Sequence, residues 1–188
     1  GGETGALSWA LNSNTIVENQ LTDRINLKKT LKLAFGQTHS QDGESKRWLR
    51  PSTTTDLIDF EAVARFTYDW PVDPFASGRV ESRFRDERDP ELTRNFNPTT
   101  FTESAGIAKV FIKEETREWT TRLGAAVRQH LDRDVLVEGE TERGNLSTND
   151  AGLEFVSEFR TPLAGDAITL TSDLTVYEAL YYSESDAL

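Results

Sequence analysis

The chain has no cysteine, no methionine and two histidines, and no apolar run approaches the ~20 residues that a membrane-spanning helix requires. Without cysteine there are no disulfides and no thiolate sites, which permits an oxidising compartment without demanding one. Without a long apolar run a helical membrane protein is excluded, but a barrel is not, because its strands are only half apolar. Positive charge is in deficit: 21 Lys and Arg stand against 32 Asp and Glu, a formal net charge of -11. Such acidity repels a phosphate backbone, so nucleic acid is not an expected partner. It fits a solvated, salt-adapted or cation-binding exterior. The chain starts Gly1-Gly2-Glu3, with no methionine and no apolar signal segment, and is expected to be a processed protein or a fragment.

What is present is alternation. Ile58, Phe60, Ala62, Ala64, Phe66 and Tyr68 fall on one side, and Asp59, Glu61, Val63, Arg65, Thr67 and Asp69 on the other, which is the period of a strand. After a turn at Pro71 to Pro74 the pattern resumes, with Ala76, Gly78, Val80, Ser82 and Phe84 against Ser77, Arg79, Glu81, Arg83 and Arg85. This is an antiparallel ribbon with one apolar face and one charged face.

The same reading predicts eight strands. The first gathers Leu7, Trp9 and Leu11, and the second sets Ile25, Leu27, Leu31, Leu33 and Phe35 against Asn26, Lys28, Thr30 and Lys32, with Lys29 as an exception that can snorkel. Beyond the ribbon come Phe101 to Lys113, whose faces are less clean, and Trp119 to Leu131, which exposes Arg122, Arg128 and His130 on its polar side. The last two start at Ala151 and Ile168. Long polar loops are expected at 39–55, 87–100 and 132–150, all at one end of the strands, and short turns at the other. That segregation is the layout of outer-membrane barrels.

The expected fold is therefore an all-β, antiparallel up-and-down (meander) barrel forming one domain over 1–188. With both chain ends at the long-loop rim, terminal strands are expected to be missing at each end, so that these eight belong to a membrane barrel of ten or twelve. The phrases Gly1-Gly2-Glu3, Leu33-Ala34-Phe35-Gly36-Gln37, Thr54-Thr55-Asp56 and Arg65-Phe66-Thr67-Tyr68 resemble the uncharacterised outer-membrane β-barrel families, including the salt-induced outer-membrane protein and a related family of unknown function. The resemblance implies a fold and a location in the cell outer membrane, and supplies no catalytic residues.

The candidate lumen residues are Arg65, Arg79, Glu81, Arg83, Arg85, Arg122, Arg128, Glu154, Glu158 and Arg160, joined on the inward face by Lys28, Lys32, Asp59, Glu61, Lys109 and Asp173. Two readings stand: a salt-bridge network lining the lumen, or an arginine constriction (Arg79, Arg83 and Arg85 with Arg65, Arg122 and Arg128) that selects anions. His39 and His130 fall near the outer rim, but no G-x-S-x-G or paired-histidine motif accompanies them. Glu138, Glu140, Glu142, Asp150, Glu184 and Asp186 lack calcium-loop spacing. No catalytic residue, metal or cofactor is expected. The expected role is structural or pore-forming, porin-like, with the lipid bilayer and other envelope proteins as partners. The alternatives are a soluble lipocalin-like barrel with its apolar faces turned inward around a small ligand, and a rim-active hydrolase using His130.

Overall fold

The computed structural model describes residues 4–68, 70–89, 91–136, 142–163 and 167–187, the last four by backbone alone. The strands are β1 (Ala6–Thr22), β2 (Ile25–Ser40), β3 (Ser52–Phe66), β4 (Asp73–Ser82), β5 (Thr99–Lys113), β6 (Glu118–Leu136), β7 (Arg143–Leu163) and β8 (Ile168–Ala187). All eight pair antiparallel in chain order within one sheet, so the up-and-down meander is the architecture. The sheet curls into a half-barrel. β1 and β8 are not hydrogen-bonded to each other and form its two open edges.

Curvature follows from side-chain size. The concave face of β5 and β6 is built from Thr102, Ser104, Gly106 and Ala108 against Arg128, Ala126, Gly124 and Arg122. Small groups on the inside of a bend let the strands tilt toward one another. Gly106 and Gly124 face each other directly, and a Cβ on Gly106 would come 2.2 Å from Leu123 O, so neither position has room for a side chain. The Phe75 ring lies over this hollow, 4 % exposed, as the large partner that glycine-lined strand pairs accept.

The faces separate as the alternation demands. Leu11, Ile107, Leu123, Leu153 and Val176 stand exposed on the convex side, while Asp59, Arg122, Thr102 and Ser104 are buried on the concave side. Convex aromatics gather at both ends. Trp9, Phe35 and Phe84 form a chain at the long-loop rim, with ring centroids 5.8 and 5.9 Å apart. Tyr68 packs on Trp70, and at the same short-turn rim Phe111 stacks on Trp119, which meets Phe159 edge-on.

Three expectations are corrected. Lys109 is convex, not luminal: it pairs with Thr121 and donates to Pro71 O. A bulge between Val110 and Ile112 explains the unclear faces of this strand, because the extra residue Phe111 reverses the alternation and sets Ile112 opposite Trp119. The expected loop 132–150 is mostly strand. β6 and β7 run on as a ribbon to the pair Leu136 and Arg143, and the alternation is silent there because the ribbon has no apolar face to display. The long-loop pattern thus holds for 41–51 and 83–98 but not for the β6 to β7 connection. Finally, 83–98 is not featureless: Asp86 and Arg94 form a bridge, and Asp86 and Asn97 are fully buried.

Candidate functional site

The concave wall carries its charges in two layers. Nearest the short-turn rim, ion pairs cross the fold. Lys28 on β2 meets Glu158 on β7 at 2.8 Å, Lys113 at the end of β5 meets Glu18 on β1 at 2.5 Å, and Arg122 on β6 meets Glu61 on β3 at 2.8 Å. These strands are far apart in the meander, so each pair spans the curl and draws its walls together. The space left among them is about 40 Å³, close to one water molecule. Arg122 is 7 % exposed and rests its guanidinium 5.6 Å from the Phe75 ring centroid, so its position is set by packing as well as by charge.

Above this waist the wall opens into a cavity of about 390 Å³. Arg79 closes one side, donating to both carboxylate oxygens of Asp59 at 2.8 and 2.9 Å and pairing with Glu81 at 3.0 Å. Lys32, Glu154, Arg160 and Asp173 also line it and make no ion pair within 4 Å among the described residues. The cavity is bounded by Asn14 and Ile16 of β1 on one flank and by Thr169, Thr171 and Thr175 of β8 on the other, so it lies along the seam between the two sheet edges.

Six of the ten candidate lumen residues, Arg79, Glu81, Arg122, Glu154, Glu158 and Arg160, thus fall on the concave strands of these two layers, by pairing or by lining. Arg65 lines the waist and reaches Asp73 only at 3.8 Å. Arg128 sits higher, its guanidinium 3.5 Å from the Tyr177 ring centroid, while the Tyr177 hydroxyl donates to Asp150. Arg83 and Arg85 do not join them. β4 ends at Ser82, and both arginines lie past it as exposed rim residues, with Arg85 paired to Glu87 at 3.1 Å. The expected arginine row is therefore broken after Arg79, because the chain leaves the sheet to enter 83–98. Arg79 and Arg122 are each matched to carboxylates as Lys28 and Lys113 are, so the wall carries neutral pairs and not a cationic ring.

The histidines are separated. His39 pairs across to Leu7 on the convex parity, whereas His130 is concave with its Nδ1 2.8 Å from Thr100 Oγ1. Glu138 and Glu140 lie outside the described residues, as do the side chains of Glu184 and Asp186, and no cluster of three or more metal-ligating groups occurs among the described residues.

A second charged cluster, invisible to the alternation, ties the long-loop rim together. Asp86, 0 % exposed, accepts from Arg88 Nε and Nη2 at 2.8 Å each, pairs with Arg94 at 2.7 Å, and accepts from Asn97 Nδ2 at 2.9 Å. Asn97 also donates to Asp132 at 2.7 Å, and its Oδ1 accepts the Arg133 backbone N–H at 2.9 Å. The loop is thereby bolted to the β6 extension. The Arg88 hydrogen bonds, with help from Asn97, hold the Asp86 carboxyl far below the usual carboxylate range, and Arg88 is raised in turn. At the edge of the cluster the hydrogen bond from Arg143 lowers Asp89 to about 2. The only sequence signal for it is the density of Arg, Asp and Asn in 86–97, which any solvated loop can show.

No protein-family model, curated protein or solved structure matches this chain.

Proposed function

We propose that this chain forms the wall of an outer-membrane β-barrel with a structural or pore-forming role, within a larger envelope assembly. The observation that carries the reading is the inverted placement of polarity: apolar side chains cover the convex face, and fixed charges of both signs fill the concave one. A lipocalin-like ligand holder needs the reverse, an apolar interior. The aromatics support the same reading, since they collect at both ends of the convex face where the interfaces of a bilayer would lie. Between them β2 runs from Ile25 to Phe35, roughly 33 Å at about 3.3 Å per residue, which at a tilt of about 40° covers roughly the 25 Å apolar height of such barrels. Open sheet edges do not persist in hydrocarbon, so the reading requires further strands against β1 and β8, as in a barrel of ten or twelve.

In this barrel the cross-fold ion pairs form the narrowest point, and the unpaired Lys32, Glu154, Arg160 and Asp173 set the field of the cavity above it. Two measurements test the proposal. The protein should partition into detergent and migrate differently before and after heating on a denaturing gel; a chain that stays monomeric and soluble without detergent overturns it. For the pore role, Lys32→Glu should shift the ion selectivity of bilayer conductance toward cations, with a smaller shift from Arg83→Glu at the rim. Equal selectivity in both variants and the parent would leave only the structural role.

A further inference from the structure

We infer that the hairpin between β2 and β3, residues 41–51, is a docking site for phosphate-bearing lipid headgroups of the leaflet around the long-loop rim. The inference rests on the membrane reading above and names the lipid chemistry that this rim selects.

The hairpin is held in shape. Gln41 and Trp48 form a bridge, Asp42 N–H donates to Arg47 O at 2.8 Å, and Leu49 N–H donates to Ser40 O at 2.9 Å. Asp42 Oδ1 accepts from the Ser45 N–H and hydroxyl at 2.7 Å each, so this acid is consumed in closing its own turn and sits below its ordinary pKa. The base is fastened to the start of β1, where Gln41 N–H donates to Gly5 O and Gly5 N–H donates to Gln41 Oε1.

What the hairpin presents is Arg47-Trp48-Leu49-Arg50. Trp48 is 54 % exposed and Leu49 51 % exposed. The Trp48 ring tip would lie 3.6 Å from a Cβ built on Gly5, and Gly5 continues the outward alternation of Leu7 and Trp9. Trp48 therefore extends the convex aromatic belt upward, at headgroup height in the proposed bilayer. Arg47 and Arg50 flank it, and neither guanidinium makes a salt bridge or hydrogen bond among the described residues. Elsewhere on this rim Arg85, Arg88, Arg94 and Arg143 are paired to carboxylates, while the exposed Arg83 makes no ion pair among the described residues. Two unpaired guanidiniums flanking an exposed indole, an arrangement the single Arg83 lacks, call for an external anion in a chain of net charge -11. Arginine matches phosphate with paired donors, and an amphipathic ring anchors at the same depth.

The test uses the full chain in non-ionic detergent, titrated with a bis-phosphorylated glycolipid, its dephosphorylated analogue, and inorganic phosphate, with retention read by native mass spectrometry. The phosphorylated lipid should be retained over its analogue, and Arg47→Gln with Arg50→Gln should weaken that retention roughly thirtyfold, the size expected for two interfacial cations. Trp48→Ala should weaken retention of both lipids. Arg117→Gln, which removes one positive charge at the opposite rim, should have no effect. Equal retention of the two lipids, no loss in the double variant, an equal loss in Arg117→Gln, or retention of inorganic phosphate as tight as that of the lipid overturns the inference. Heat-modifiable migration of the same preparations separates the outcomes. If migration persists without lipid preference, the hairpin assignment falls and the barrel stands; if migration is absent, both fall.

Discussion

The buried knot around Asp86 and the cross-fold brace of Lys28 with Glu158 use the same chemistry for different ends. In the knot, a carboxylate with no exposure gathers three donor side chains, and every member is held by a second partner. In the brace, a single contact joins side chains that keep 24 % and 30 % exposure. A charge fully withdrawn from water must be matched, as Asp86 is although Arg94 Nε stays buried without a partner, and the knot so formed fixes loop 83–98 on β6. A half-hydrated pair exchanges its partner for water at little cost. Rigidity is therefore concentrated in the knot at the long-loop rim, while the Lys28–Glu158 brace at the waist is a contact that salt and substitution loosen more easily.

Removing the centre of the knot should have the largest effect. Asp86→Ala removes the carboxylate shared by Arg88, Arg94 and Asn97 and should cost about 3–5 kcal/mol, read from the urea midpoint at constant slope. A loss below about 1 kcal/mol would mean that the knot is no tighter than the brace. Asn97→Ala, which removes one donor pair and one acceptor, should follow at about 1–3 kcal/mol. Lys28→Met should cost about 0–1 kcal/mol yet widen the waist, so single-channel conductance should rise while the urea midpoint scarcely moves.

Acid should separate the two regions as well. The folded pKa values of Asp86 and Asp89 lie below the unfolded carboxylate value of about 4, so their contribution is complete above that value and is lost as pH falls through the folded one. Protection of the Arg94 and Arg133 amides against hydrogen exchange, relative to an unstructured chain at the same pH, should therefore fall between pH 4 and about 2, the folded value of Asp89. Unchanged protection across that window would separate the loop's order from its carboxylates.

The sheet was legible where one face is apolar. Ile58 to Phe66 and Trp119 to Leu131 show their faces directly, because only period two satisfies a two-sided environment. The alternation fails at Phe111, where a bulge adds one residue, and beyond Asp132, where the ribbon leaves the apolar band. Site residues were legible only as a face. That Glu158 meets Lys28 depends on how far the sheet curls, and the curl is set by Gly106, Gly124 and their neighbours, whose small size carries no charge pattern. The Asp86 knot was hidden because buried and solvated polar loops share one composition.

The position of the larger cavity has a consequence for assembly. It reaches the gap between β1 and β8, with Asn14 and Ile16 on one bank and Thr171 and Asp173 on the other. Any strand that seats on either edge points every second side chain into that space. In the proposed barrel, closing the wall and defining what the lumen admits would then be a single event, since the strands that sealed the cylinder would also complete the lining of this cavity.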